Sequence, residues 1–223
     1  MKKYIFTLIL LVSFVAHKQA VYGQTINDIF KSMPTELLPG VSEGNKTMLI
    51  VDTPKTTEPY IFGEIQKVNH SDSYLNIKTS DVGNTQIKLL PVAGDSSIAS
   101  ESITSESIVS VIKTVCGGAK TDVCNSIITF YTTDWKELDG ELLLPTLSPE
   151  LFMDSSKKEL DNYKYALSLP DIYPISAKFD ETSTDLTLLF HYKDRLSNMH
   201  LKEFEAFLKS DSVTLKWDES NFK

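Results

Sequence analysis

Among the many carboxylates of this sequence, two that lie beside a tryptophan are the best candidates for a catalytic pair. Asp134 and Glu137 flank Trp135. Two carboxylates can serve as general acid and as nucleophile or base in glycoside hydrolysis, and an aromatic ring can stack on a sugar. The segment 132–137 also has the pattern of a strand that ends at a corner, with the tryptophan filling the core. Both interpretations stay open, and we favour the packing role.

The three histidines beyond residue 23 stand in no catalytic or metal-binding motif. His70 lies in a polar turn, His191 in a predicted strand and His200 in the first turn of a predicted helix. The sequence contains no nucleophile elbow, phosphate loop, zinc-binding helix or calcium-loop spacing. A Ser–His–acid triad stays open, because its members need not be close in sequence. We therefore expect no cofactor and no metal ion, and we expect each histidine at the surface or a boundary.

The two cysteines, Cys116 and Cys124, are expected to form a structural disulfide. Their spacing fits two strand ends joined by a short loop. Two thiolates do not complete a tetrahedral zinc shell, and a redox-active pair is usually separated by only two residues. In the chain-entropy model, closing so small a ring stabilises the fold by roughly 2–3 kcal/mol.

The first 23 residues have the pattern of a secretory signal peptide. Lys2 and Lys3 precede an apolar run over residues 4–16, which is too short to span a bilayer. Cleavage is predicted after Gly23, so that Gln24 begins the mature chain; an uncleaved N-terminal anchor is the alternative. No later apolar run approaches membrane-spanning length. We therefore expect an exported soluble protein with no stable membrane span, in the periplasm or otherwise at the cell surface or outside the cell.

Charge and composition limit the class of partner. The formal charge is −8, and removing residues 1–23 takes away three lysines and no acids, which leaves −11. Such an acidic chain repels phosphate backbones, and no basic stripe offsets the repulsion, so no nucleic acid is expected as a partner. A composition of 41% hydrophobic and 23% charged residues is typical of a globular protein. Residues 24–223 are long enough for one domain.

Periodicity predicts an α+β fold, mainly an antiparallel sheet with helices packed on it. An apolar stripe predicts a helix over residues 24–38, with Thr25 as its N-cap and Asp28 in the capping-box position. A short helix or extended piece follows at 45–51. The serine-rich segment 94–107 is predicted to be an exposed loop. Five segments rich in β-formers are bounded by turn residues; they are residues 60–68, 74–79, 86–91, 108–116 and 127–133.

The second half begins again with helical signals and ends in strands. Ser148 and Pro149 open a helical segment, and helical character resumes over 156–167, where two tyrosines leave a strand open. A short echo between residues 32–39 and 168–174 raises the alternative of two tandem helix-then-sheet halves, 24–145 and 146–223, although chance is the simpler account. The remaining elements are a hairpin of residues 175–179 and 186–192, a helix over 199–208 and a strand over 213–217, with Trp217 as the core anchor of that strand.

Several short motifs are spread along the chain. They are residues 30–34 and 37–39, Lys88-Leu89-Leu90-Pro91, Lys113-Thr114-Val115-Cys116, residues 128–135, Leu215-Lys216-Trp217 and Phe222-Lys223. Together they resemble those of a Bacteroidales family of secreted proteins known as domain of unknown function 3256. The resemblance covers nearly the whole chain after the signal peptide. It implies export by a Gram-negative gut or oral bacterium, and it brings no catalytic residues with it.

Two function classes follow. The favoured one is a non-enzymatic interaction module that binds a protein or envelope component, because no catalytic signature is found. The alternative is a hydrolase of envelope or dietary polymers, with Asp134 and Glu137 as its candidate residues. A cleft with two convergent carboxylates would favour the enzyme. An exposed apolar patch would favour the binding module.

Overall fold

The structure is a computed structural model. It describes residues 24–51, 56–61, 63–93, 106–117 and 123–223. The predicted signal peptide, residues 1–23, and nearly all of the serine-rich segment 94–107 lie outside the described residues. Within the described ranges, no helix has both the length and the apolar character needed to cross a bilayer.

Within the described ranges, ten strands form two antiparallel sheets, which confirms the predicted α+β class. The large sheet is a seven-stranded meander in chain order, and the small sheet has the order β10-β9-β8. The large sheet contains β1 (Thr57–Tyr60), β2 (Gly63–His70), β3 (Tyr74–Lys78), β4 (Gly83–Pro91), β5 (Ser107–Gly117), β6 (Val123–Tyr131) and β7 (Glu137–Leu138). The small sheet contains β8 (Ile175–Phe179), β9 (Leu186–Phe190) and β10 (Ser212–Leu215).

Four short α-helices and several 3-10 turns complete the described elements. The α-helices are α1 (Ile26–Ser32), α2 (Glu43–Leu49), α3 (Tyr163–Ser168) and α4 (Asn198–Glu205). The helical segment predicted from Ser148 onward is a 3-10 helix, Pro149–Phe152, and it lacks a side-chain cap from Ser148.

The large sheet is buried on both faces, so the fold has three layers. Alternate residues of β5 show this directly. Val109 and Val111 pack into a core shared with α1 and α2, whereas Ile108 and Ile112 pack into a second core shared with the small sheet. A strand buried on both faces has no polar side, which explains the nearly continuous apolar run of β5.

Helix α1 starts where the sequence predicts and ends earlier. Thr25 and Asp28 form the predicted capping box, in which the Thr25 N–H donates to Asp28 Oδ2 at 3.1 Å. The predicted helix continued to residue 38, but α1 ends at Ser32. Pro34 is the physical reason, because a proline disfavours the α conformation in the residue before it; Met33 accordingly has ψ 127°.

Other boundaries also differ from prediction. The strand expected over residues 60–68 is two strands, β1 and β2, which meet at a turn after Tyr60. The helix predicted over 199–208 ends at Glu205.

Trp217 is 8% exposed and packs in the core next to the small sheet, as predicted. Helices precede strands in both 24–145 and 146–223, but the first half holds seven strands and the second three.

Candidate functional site

Side chains of the large sheet bind the free edge of β8 and so fix the small sheet in place. Backbone N–H groups at an open edge need partners when they are buried. Three alternate N–H groups of β8 find them in side-chain oxygens of β4 and β6. Ile175 N–H donates to Asn125 Oδ1 at 3.3 Å, Ala177 N–H to Ser126 Oγ at 2.9 Å and Phe179 N–H to Gln86 Oε1 at 3.0 Å.

We call these three hydrogen bonds the polar seam. They place the loop before β8 at the end of the β5–β6 hairpin. A groove of about 570 Å³ lies there, within the usual range for a ligand or peptide site. Its lining comes from three segments that are distant in sequence. They are Val115, Gly117, Val123 and Asn125 of the hairpin, Asp171, Ile172, Tyr173 and Pro174 of the loop, and Arg195.

Three large exposed apolar side chains line this groove, and a fourth, Ile127, lies beside one of them on the hairpin; we call these four the hairpin-end surface. Val115 is 63% exposed, Ile127 64%, Ile172 61% and Tyr173 48%. Val115 and Ile127 are diagonal cross-strand neighbours on one face of the hairpin, since Val115 pairs with Asn125. Exposed apolar side chains that cluster in this way are typical of interaction sites.

The polar groups of the groove include two charges that no described residue neutralises. Arg195 is the only arginine in the chain, and both Arg195 and Asp171 are exposed. Neither side chain makes an ion pair or a hydrogen bond with any described residue. A guanidinium offers five N–H donors in a planar fork that matches a carboxylate. The groove therefore presents one guanidinium and one carboxylate beside its apolar side chains.

The cysteine pair lies at the same end of the hairpin. Cys116 and Cys124 are direct partners in the β5–β6 register. Their sulfur atoms lie at disulfide distance, 2.02 Å apart, and their Cα atoms are 4.0 Å apart. The close Cα approach is that of a non-hydrogen-bonded pair. A covalent link here holds the two strands beneath the groove together.

The structure does not bring Asp134 and Glu137 into a cleft. Both carboxylates are exposed at the turn between β6 and β7, and neither lines the groove. Trp135 is half-buried against the helix-side core, and its Nε1–H donates to Ser32 Oγ at 3.1 Å. The Tyr131 ring lies 5.5 Å from it. These contacts support the packing role for Trp135.

One histidine pairs with a serine that the sequence did not single out. His191 Nε2 lies 2.8 Å from Ser176 Oγ on the side of the small sheet away from the core. Burial lowers the pKa of His191, which favours the neutral ring. No described carboxylate contacts His191, so the pair has no third member among the described residues. His70 Nε2 lies 2.7 Å from Asn27 Oδ1, and His200 is half-buried in α4.

Sequence reasoning missed the groove because no local pattern marks it. Asp171, Ile172 and Arg195 come from irregular segments, which have no periodicity to interpret. The one local sign of an exposed apolar patch was that Val115 and Ile127, two residue types that favour strands, share a face of the hairpin with polar residues. In the described part of the chain, no three His, Cys, Asp or Glu side chains cluster as metal ligands.

A family model matches residues 18–222, and its description is "Protein of unknown function (DUF3256)". The chain belongs to this family. Comparison with curated proteins gives no match. Among solved structures, the fold is similar to a domain of an uncharacterized protein from Porphyromonas gingivalis W83, with a TM-score of 0.69 at 20% identity. The similarity covers 90% of this chain and 97% of the other. It shows that a DUF3256 chain and this domain share a fold.

Proposed function

We propose that this protein is a non-enzymatic interaction module that binds a protein or another envelope component through the hairpin-end surface. The observation that carries the proposal is the groove with its exposed apolar rim. Four large apolar side chains are between 48% and 64% exposed there, beside an arginine that makes no ion pair with a described residue. Leaving such a cluster in water is unfavourable at about 25 cal/mol per Å² of apolar surface. A partner that covers it would recover this free energy.

The scaffold beneath the surface is suited to binding. The seam on β8 and the cysteine pair hold the two sides of the groove, so little ordering is needed when a partner docks. Preorganisation of this kind raises affinity by lowering the entropy cost of association.

We also propose that the protein is exported and acts in the periplasm or at the cell surface. The signal-peptide pattern of residues 1–23 and the cysteine pair support this location. N-terminal sequencing of the protein from cells is expected to begin at Gln24. A mature chain that still carries Lys2 and Lys3 would contradict cleavage after Gly23.

The binding proposal is tested by photocrosslinking from two equally exposed tyrosines. Tyr173 on the groove is 48% exposed, and Tyr165 in α3 is 50% exposed. Each is replaced in turn by a photoreactive benzoylphenylalanine in the producing cells. We expect a discrete crosslinked species from position 173 and none from position 165. Equal crosslinking from both positions, or none from 173, would contradict binding at this surface.

The second candidate function is hydrolysis of envelope or dietary polymers. The observation that favours it is the hydrogen-bonded Ser176–His191 pair, since Asp134 and Glu137 lie apart from the groove. A serine beside a neutral imidazole is the arrangement of an activated nucleophile. Neither residue lines the groove, and no described carboxylate orients the imidazole. Turnover of a polysaccharide or peptide that Ser176→Ala abolishes in a folded protein would replace the binding proposal.

A further inference from the structure

We infer that the groove of the hairpin-end surface binds a short peptide with apolar side chains and two free ends, its carboxylate at Arg195 and its ammonium group at Asp171. The inference rests on the proposed function and names the ligand of the same surface. It follows from where the register places the two charges, from their lack of partners and from the lining between them.

The register of the small sheet places Asp171 and Arg195 at the same end of that sheet. The first residue of β8 pairs with the last residue of β9. Because the two strands are antiparallel, the segment before β8 and the segment after β9 leave the sheet side by side. His191 N–H donates to Pro174 O at 2.9 Å, which continues the contact beyond the paired residues. Two charges that are distant in sequence therefore line one groove.

The two charges do not neutralise each other. Both side chains are exposed, and neither makes an ion pair with a described residue, so each can still bind a charged group. The Arg195 guanidinium presents a planar fork of N–H donors that matches a carboxylate, and the Asp171 carboxylate accepts from an ammonium group. A ligand with one charge of each sign satisfies both groups. A ligand with a single charge is attracted by one of them and repelled by the other.

The net charge of the chain favours a ligand that is neutral overall. The formal charge is −8, so the chain repels a ligand with a net negative charge. A ligand with a net positive charge is repelled by the guanidinium inside the groove. A free-ended peptide without charged side chains carries no net charge at neutral pH, since its carboxylate and its ammonium group cancel.

The lining between the charges fits apolar side chains. Val115 belongs to the hairpin, whereas Ile172 and Tyr173 belong to the loop before β8, and all three are exposed in the groove. A ligand that covers them removes apolar surface from water on both sides. The two apolar walls come from different segments, so a ligand with at least two apolar side chains can cover both.

Asn125 adds a hydrogen-bond donor that suits a peptide carbonyl. Its Oδ1 accepts from Ile175 N–H at 3.3 Å, which fixes the orientation of the amide. Its Nδ2 makes no hydrogen bond with a described residue, and the side chain lines the groove. A donor that is already oriented binds a ligand at a low entropy cost. A free amino acid has no amide carbonyl, so this donor favours a peptide.

The test measures the binding of leucyl-leucine and its capped forms to the full chain purified from producing cells. N-acetylation removes the ammonium group of the peptide, and C-terminal amidation removes its carboxylate. Chemical-shift titration of the Ile172 methyl groups shows whether the ligand occupies the groove. Arg195→Gln and Asp171→Asn each remove one charge of the groove. Lys136→Gln and Glu141→Gln are the matched controls, because both side chains are exposed and neither lines the groove.

We expect the capping of either end to weaken binding to the unmodified protein about fivefold, which corresponds to roughly 1 kcal/mol. In Arg195→Gln, amidation should lose its effect while N-acetylation keeps it. In Asp171→Asn, N-acetylation should lose its effect while amidation keeps it. Both control variants should retain both effects, and leucine should bind more weakly than leucyl-leucine.

Three results would overturn the inference. Equal binding of the free and the doubly capped dipeptide would refute recognition of the charged ends and indicate an internal segment of a protein as the occupant. Leucine that binds as tightly as leucyl-leucine would refute the peptide. A titration that leaves the Ile172 signals unshifted would refute the site. All three leave the proposed function standing, because crosslinking from position 173 does not depend on the ends of a ligand.

Discussion

Phe30→Asp is expected to destabilise the protein by more than about 4 kcal/mol, because it places an unpaired charge in the helix-side core. Phe30 is fully buried, as are its neighbours Ile26 and Ile29 on the same helix. Helix α1 has only seven residues. So short a helix is not stable alone in water, so it is ordered only because this apolar face is docked.

Chemical denaturation of Phe30→Asp measures the effect, with Met48→Asp as a matched control. Met48 is 50% exposed on the neighbouring helix α2, so its replacement should cost less than about 1 kcal/mol. A midpoint for Phe30→Asp equal to that of the control would show that α1 does not dock on the sheet. In that case the apolar face of α1 would itself be a binding surface.

The sequence predicted the sheet well because strand signals are local. Alternation, β-branched residues and bounding turns are all visible in segments of five to ten residues, and each predicted strand has a counterpart. The capping box of Thr25 and Asp28 was likewise visible, since it depends on residues three apart. Helix ends were less predictable. Pro34 ended α1 early, and tertiary contacts shaped the segment after Ser148 into a 3-10 turn.

The layering of the fold could not be predicted, because it depends on contacts between distant segments. Gln86 and Lys88 are polar residues in a strand that is buried on both faces, and from sequence alone they would be assigned to solvent. The backbone groups that they bind lie 91 to 93 residues further along the chain. Lys88 Nζ, for example, donates to the Glu181 carbonyl at 3.0 Å. Burial lowers the pKa of Lys88.

The groove was unpredictable for a related reason. It forms where three segments meet, and two of them are irregular loops with no periodic pattern. The candidate catalytic pair, Asp134 and Glu137, lies elsewhere on an exposed turn. Whether an apolar residue is exposed depends on the assembled fold. From sequence alone, Ile127 and Val115 therefore cannot be distinguished from buried strand residues.

Gln86→Leu is the second change expected to have a large effect, because Gln86 makes three buried hydrogen bonds. Its Oε1 accepts from Phe179 N–H and from the Tyr74 hydroxyl, both at 3.0 Å. Its Nε2 donates to the Ala177 carbonyl at 3.2 Å. Leucine fills a similar volume but offers no partner to any of these groups. Each buried group left without a hydrogen bond costs about 1–3 kcal/mol.

We therefore expect Gln86→Leu to lower the free energy of unfolding by about 3–6 kcal/mol. Gln66→Leu is the matched control, because Gln66 is a half-buried glutamine on β2 whose side chain makes no hydrogen bond to a described residue.

Hydrogen exchange gives a local measurement on the same two variants. The Phe179 amide should exchange faster in Gln86→Leu than in Gln66→Leu, relative to amides of β5. Equal stability and equal Phe179 exchange in the two variants would show that side chains of the large sheet do not hold β8. Because the Pro174 carbonyl accepts from His191 N–H at 2.9 Å, a shift of β8 within the small sheet would also move the loop that forms one wall of the groove.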